Sequence, residues 1–130
     1  MSFDIINPSP LGRPSGWNHG MLGPVGGRVL FVAGQTAADA GGLVEQWDRA
    51  LERVLAVVRA AGGAPADIGR MTVYVADRAA YLAARKALGE VHRRHMGKHY
   101  PAMALVAVSA LVDDGALVEI EATAVIGGTS

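Results

Sequence analysis

The sequence predicts an α+β domain, one mixed sheet with two amphipathic helices packed on one of its faces. Three observations carry this prediction. Residues 101–126 hold two Val- and Ile-containing apolar runs split by Asp113-Asp114-Gly115. Residues 45–61 and about 77–96 repeat apolar side chains at helical spacing. Short alternating runs between Gly- and Pro-rich breaks mark the remaining strands. Each helix has an apolar stripe that must be buried, so the order β-β-α-β-α-β-β places both helices on the same side of the sheet.

Taken in order, Phe3 to Ile6 reads as a short edge strand, and Pro8, Pro10, Gly12, Pro14 and Gly16 make residues 7–16 an irregular crossing segment. Residues 17–22 read as a strand that turns at Gly23-Pro24 and Gly26-Gly27 into Arg28–Ala33, a hairpin. After a loop through Leu43, Trp47, Leu51, Val54, Val58 and Ala61 share one face of the first helix. Glu45 and Arg59 complement its dipole, and Gly62-Gly63 supplies a left-handed stop. Ile68 to Ala76 alternates as a strand, Asp77 reads as an N-cap, and the second helix runs to about Met96, with Tyr81, Leu88, Val91 and His95 on its buried side, before Gly97.

Residues 101–112 and 116–126 then read as an antiparallel hairpin at the centre of the sheet, closed by the Asp-Asp-Gly turn. In its second strand Val118, Ile120, Ala122, Ala124 and Ile126 share the core face, while Glu119, Glu121 and Thr123 share the other. An unpaired carboxylate inside a core costs several kcal/mol, so the glutamate face is expected to be wet or covered by another chain.

The 130 residues read as a single domain, 1–130, with an irregular N-terminal segment over residues 1–14. A hydrophobic content of 51% excludes a disordered chain, and 12 basic against 12 acidic residues leaves no global field for nucleic acid or anionic membrane. With no cysteine there is neither disulfide nor thiolate chemistry. Asp4 stands where a signal peptide carries positive charge, and no apolar run approaches the ~20 residues of a membrane span, so a cytoplasmic location is expected.

Glu119 and Glu121 point from one strand face about 7 Å apart, the best-placed pair for acid–base work; the plain alternative is a solvated outer face. His19, beside Trp17 and Asn18, is a candidate proton shuttle or simply a hydrogen-bonded surface imidazole. His92, His95 and His99 follow the spacing i, i+3, i+7, but no carboxylate or cysteine completes a tight site and Gly97 interrupts the helix, so no metal is expected. Arg93, Arg94 and Lys98 are explained by the helix dipole. Neither nucleotide-binding glycine fingerprint is present, nor a Gly-x-Ser-x-Gly elbow. Trp47 falls in the apolar helix stripe, whereas Trp17 sits among polar residues and is the better ligand-facing aromatic.

Several stretches together resemble the RidA family, YjgF/YER057c/UK114. They are Val29–Gln35, Ala60-Ala-Gly-Gly63, Asp67–Asp77, Tyr100-Pro-Ala102 and Leu117–Ala122, in order over about residues 15–126. The resemblance implies a chorismate-mutase-like fold, a homotrimer whose sheets form a central barrel, and clefts between subunits. It implies hydrolysis of enamines and imines such as 2-aminoacrylate to 2-keto acids and ammonia, without cofactor or metal. Glu119 matches the family glutamate that positions water, and Gly34-Gln35 match the turn lining the cleft. Met103 stands at the position of the carboxylate-binding arginine, Trp17 at that of a tyrosine, His19 at that of a glutamine and Ala33 at that of a serine. A charge-assisted hydrogen bond is worth about 1.5–3 kcal/mol, so losing that arginine weakens a small carboxylate ligand by at least ~10- to 100-fold.

The expectation is therefore a RidA-like hydrolase acting on a small reactive metabolite other than 2-aminoacrylate, with Glu119 orienting water and His19 donating a proton. Trp17, Ala33, Gly34, Gln35 and Met103 would shape the pocket. The rival expectation is a non-catalytic small-molecule sensor or binding trimer.

Overall fold

The computed structural model describes residues 3–129. Met1, Ser2 and Ser130, the ends of the predicted domain, lie outside them. Strand β1 (Asp4–Ile6) pairs antiparallel with β2 (Gly20–Leu22) in a small two-stranded sheet. Strand β3 (Arg28–Gln35), helix α1 (Leu43–Ala60), strand β4 (Ile68–Val75), helix α2 (Arg78–Met96), strand β5 (Ala102–Ala107) and strand β6 (Val118–Ile126) follow, and the four strands form a mixed sheet in the order β3-β6-β4-β5.

Both helices cover one face, as the pattern predicts. Leu51, Val54, Leu55 and Val58 of α1 and Leu88, Val91 and Met96 of α2 join one core with Met71, Val73 and Val75 of β4 and Val118, Ile120, Ala122 and Ala124 of β6. The helix ends follow their residues. Asp77 accepts a hydrogen bond from the Ala80 amide at 3.0 Å. At the end of α1, Gly62 takes φ +86°, and the amides of Gly62 and Gly63 return to the carbonyls of Arg59 and Val58. Ala61 is the cap and is exposed, so it lies outside the buried stripe.

Two predicted hairpins are corrected. Strands β5 and β6 do not pair, because β4 lies between them, parallel to β5 and antiparallel to β6. The Asp113–Gly115 turn exists, with Gly115 at φ +81° and the Ala116 amide bonded to the Asp113 carbonyl, but it carries the chain past the end of β4. The first run also leaves the sheet at Ala107, and Val112 is fully exposed. The crossover through α2 makes β5 parallel to β4, a pairing that an antiparallel turn signal does not announce. Likewise β2 pairs with β1 rather than β3, and β3 pairs with β6.

Among the described residues Gln46 is the one buried polar side chain, with 1% of its surface exposed. Its amide nitrogen donates to the Gly41 and Gly115 carbonyls at 3.0 and 3.2 Å, and its oxygen accepts from the Leu117 amide at 2.8 Å. One side chain thus ties the loop before α1 to the start of β6, and so sets the position of Glu119.

Candidate functional site

The predicted site residues fall into two groups. The first lies where β3 bulges. Between Val32 and Gln35 the register against β6 slips, so that Ala33 and Gly34 occupy an irregular step opposite Ala122 and Ile120. The Gln35 side chain bonds back to the Ala33 carbonyl at 3.1 Å. Glu119 reaches over this step, and a Cβ built on Gly34 would sit 2.6 Å from its Oε2. Glycine is needed at 34 for that close approach, not for its backbone angles.

Glu119 and Glu121 are both half-buried on the outer face of β6, away from the helices, as alternation predicts. Their surroundings differ. Tyr74, on the adjacent β4, donates its hydroxyl to Glu121 Oε2 at 2.9 Å, and that bond to a carboxylate pushes the Tyr74 phenol above its usual range. Among the described residues none donates a hydrogen bond to the Glu119 carboxylate, which faces Tyr74 across the strand pair. Glu121 is engaged; Glu119 is left able to accept from something outside the chain.

The second group lies at the β5 edge. Asn18 bridges to Ala102, its amide bonded to the Pro101 carbonyl and its side chain to the Tyr100 carbonyl. Asn7 accepts from the His19 amide at 2.7 Å and donates to Asn18. This pair of asparagines seats the segment bearing Trp17 and His19, whose rings meet edge to face at 4.6 Å. The role of Asn7 was hidden in the sequence, because an Asn in a Pro-rich stretch signals a turn. Trp17, 38% exposed, lines a cavity of about 390 Å³ with Tyr81, Met103 and Leu105.

Met103 pairs in register with Met71 and packs against the core, so it lies on the helix-covered face. Glu119 lies on the opposite face. Within one chain the sheet separates the predicted base from the predicted pocket wall, and the structure does not bring the seven site residues together.

The three histidines of the second helix region disperse. The ring Nε2 of His92 contacts the His99 carbonyl, that of His95 contacts Asp48, and that of His99 contacts the Ile68 carbonyl. The hydrogen bond from His95, with Arg94 nearby, holds the Asp48 carboxyl below its usual range. Burial pushes the His92 imidazole down. Among the described residues no cluster of three or more His, Cys, Asp or Glu side chains is arranged to hold a metal ion.

A family model described as endoribonuclease L-PSP matches residues 14–126. A RutC family protein of Pyrococcus horikoshii is 34% identical over 105 residues, covering 75% of this chain and 79% of that protein. The crystal structure of a protein of unknown function of the conserved Rid family from Yersinia pestis superposes with a TM-score of 0.80 at 34% identity, covering 97% of this chain and all of that one. The chain belongs to the Rid family, YjgF/YER057c/UK114. A further Rid relative, from Capra hircus, carries the name 2-iminobutanoate/2-iminopropanoate deaminase and is 32% identical over 107 residues, 77% of this chain and 74% of that protein. The Rid fold accounts for the mixed sheet and for the two helices on one face. No helix among the described residues is long and apolar enough to cross a membrane.

Proposed function

We propose that this Rid protein is a cofactor-independent hydrolase of the enamine/imine deaminase type, working in a cleft between subunits of a homotrimer. The observation that carries the reading is the Glu119 carboxylate, held over Gly34 on the outer face with no hydrogen-bond donor of its own among the described residues. The named activity of the Capra hircus relative supports the reaction class.

In this mechanism Glu119 accepts a hydrogen bond from a water molecule and orients it toward the electrophilic imine carbon. Attack forms the carbon–oxygen bond and sends the π electron pair to nitrogen. The attacking water passes one proton to Glu119 while nitrogen takes one up to give the carbinolamine; nitrogen then takes the proton held by Glu119, and collapse, with the hydroxyl proton returned to the donor, releases ammonia and leaves the carbonyl product. An enamine first gains a proton on carbon to become the imine. His19, seated beside Trp17 by the Asn7 side chain, is the proposed proton donor.

The geometry supports a second copy in this reading. Trp17, His19 and Met103 lie at the β5 edge and Glu119 on the opposite face near the β3 bulge, so the two groups meet only when the edge of one chain lies against the outer face of another. That outer face carries Val29, Phe31 and Val106, exposed by 56, 80 and 42%. Such an apolar surface on a sheet favours cover by a partner.

The test is ammonia release from 2-iminobutanoate and from imines of larger amino acids, compared with Glu119→Gln. Turnover that is unchanged in the variant, or absent with every imine, overturns the reading. Met103 at the position of the family arginine favours a second reading, a binding trimer without turnover, which predicts ligand-induced rises in Tm but no ammonia. Equal numbers of acidic and basic residues weigh against RNA as the ligand, despite the family description.

A further inference from the structure

The cavity beside Met103 extends along α2 into a second chamber of about 310 Å³, within the range typical of small-molecule sites. Arg85, Gly89 and Arg93 border it. Their spacing of four places them on one stripe of the helix, a guanidinium on either side of a glycine. Two stacked aromatic pairs also line it: Trp47 on Tyr81, with centroids 5.9 Å apart and planes 17° apart, and His92 on Tyr100, at 5.0 Å and 5°.

Glycine in the middle of a helix is destabilising relative to alanine, so its presence calls for a reason. Packing supplies none here. A Cβ added at Gly89 meets only Arg93 Nη1, at 3.8 Å. The missing side chain keeps the chamber open. The two cations lack a carboxylate partner: among the described residues the salt bridges of this helix run from Arg94 and His95 to Asp48, neither Arg85 nor Arg93 forms one, and Arg85 Nε donates to the Leu82 carbonyl of its own helix at 3.3 Å.

We propose that this chamber binds a carboxylate attached to a planar aromatic body, with Arg85 and Arg93 holding the carboxylate and the ring lying over Gly89 against the Met103 side chain. Methionine sulfur and guanidinium groups both make favourable contacts with aromatic rings, and a two- or three-carbon acid would leave most of the volume unfilled. The assignment rests on the reading that the cleft beside Trp17 and Met103 receives the substrate. For a deaminase it names imines of aromatic α-amino acids as the substrate class, with the charge anchor moved from the strand to the helix.

Isothermal titration of the full chain with 3-phenylpropionate, 3-phenylpropanamide and propionate tests this. The expected result is saturable binding of 3-phenylpropionate, with the neutral amide and propionate each at least about tenfold weaker. The double variant Arg85→Gln, Arg93→Gln loses about tenfold. Gly89→Leu loses binding while keeping or raising Tm, and Gly89→Ala gives an intermediate loss with a raised Tm. Lys86→Gln, an exposed charge on the same helix outside the chamber lining, leaves binding unchanged. No heat from 3-phenylpropionate overturns the assignment. So does equal binding of the amide, or unchanged binding in both the double arginine variant and Gly89→Leu. Turnover of 2-iminobutanoate without 3-phenylpropionate binding sinks this assignment and leaves the hydrolase reading standing; binding without turnover of any imine does the reverse.

Discussion

Glu119 and Glu121 share a strand face two residues apart, and what separates them is a single phenol. Tyr74 occupies Glu121, so Glu119 is the carboxylate free to orient water, and Glu119→Gln should lower ammonia release by about 10²- to 10⁴-fold with little change in Tm. Gly34→Ala is the more informative partner. Its methyl group lands on the Glu119 carboxylate, a flexible side chain that can move aside, so activity should fall while stability barely changes. Equal losses of both would mean that Gly34 serves the fold instead. A third residue-scale expectation concerns His92. Burial lowers its folded pKa below the ordinary imidazole value of 6.5, with His99, Arg93 and His95 adding repulsion. The unfolded chain then binds the proton more readily, so this group costs no stability above pH 6.5 and costs progressively more as pH falls from there toward the lowered value. His92→Gln should flatten the decline of Tm over that window, and an unchanged slope would contradict the assignment. Alternation alone made the two glutamates legible in the sequence. The Tyr74 hydrogen bond that distinguishes them was not, because it crosses between strands 47 positions apart.

At the scale of elements, periodicity recovered what is local. Both helices, the Asp77 cap and the Gly62 stop, and the inward and outward faces of β4 and β6 follow from spacing and terminal residues. Strand partners did not follow. A period of two states which side of a strand is buried and nothing about its neighbour, so the Asp-Asp-Gly turn suggested a hairpin where β4 intervenes. Gln46 escaped notice for a related reason: on a helical wheel it looks like a surface residue beside Trp47, yet its partners come from loops that only the tertiary fold brings near. Gln46→Leu leaves the Gly41 and Gly115 carbonyls and the Leu117 amide without their partner. It should cost about 1–3 kcal/mol of stability, read by urea denaturation, and should also reduce activity through the start of β6. A stability loss below ~0.5 kcal/mol would mean that water replaces the clamp.

The whole molecule presents an outer sheet face on which Phe31 is 80% exposed, and the residues of the proposed site divide between the two sides of the sheet. Neither fact is visible in a composition, since an exposed Phe and a core Phe are the same letter; the proposed trimer rests on the apolar, glutamate-bearing sheet face together with the family resemblance. Light scattering should give about three times the chain mass of 13.5 kDa, and Phe31→Asp should bring it down to a single chain with loss of turnover. The most direct measurement is complementation between two inactive variants. Chains carrying Glu119→Gln and chains carrying Trp17→Glu are unfolded, mixed in equal amounts and refolded together. If each cleft takes Trp17 from one subunit and Glu119 from its neighbour, the mixture recovers roughly a quarter of the parent ammonia-release rate, because each half is drawn independently from the two pools. A mixture as inactive as its components, alongside an active parent refolded in the same way, would contradict a site shared between subunits.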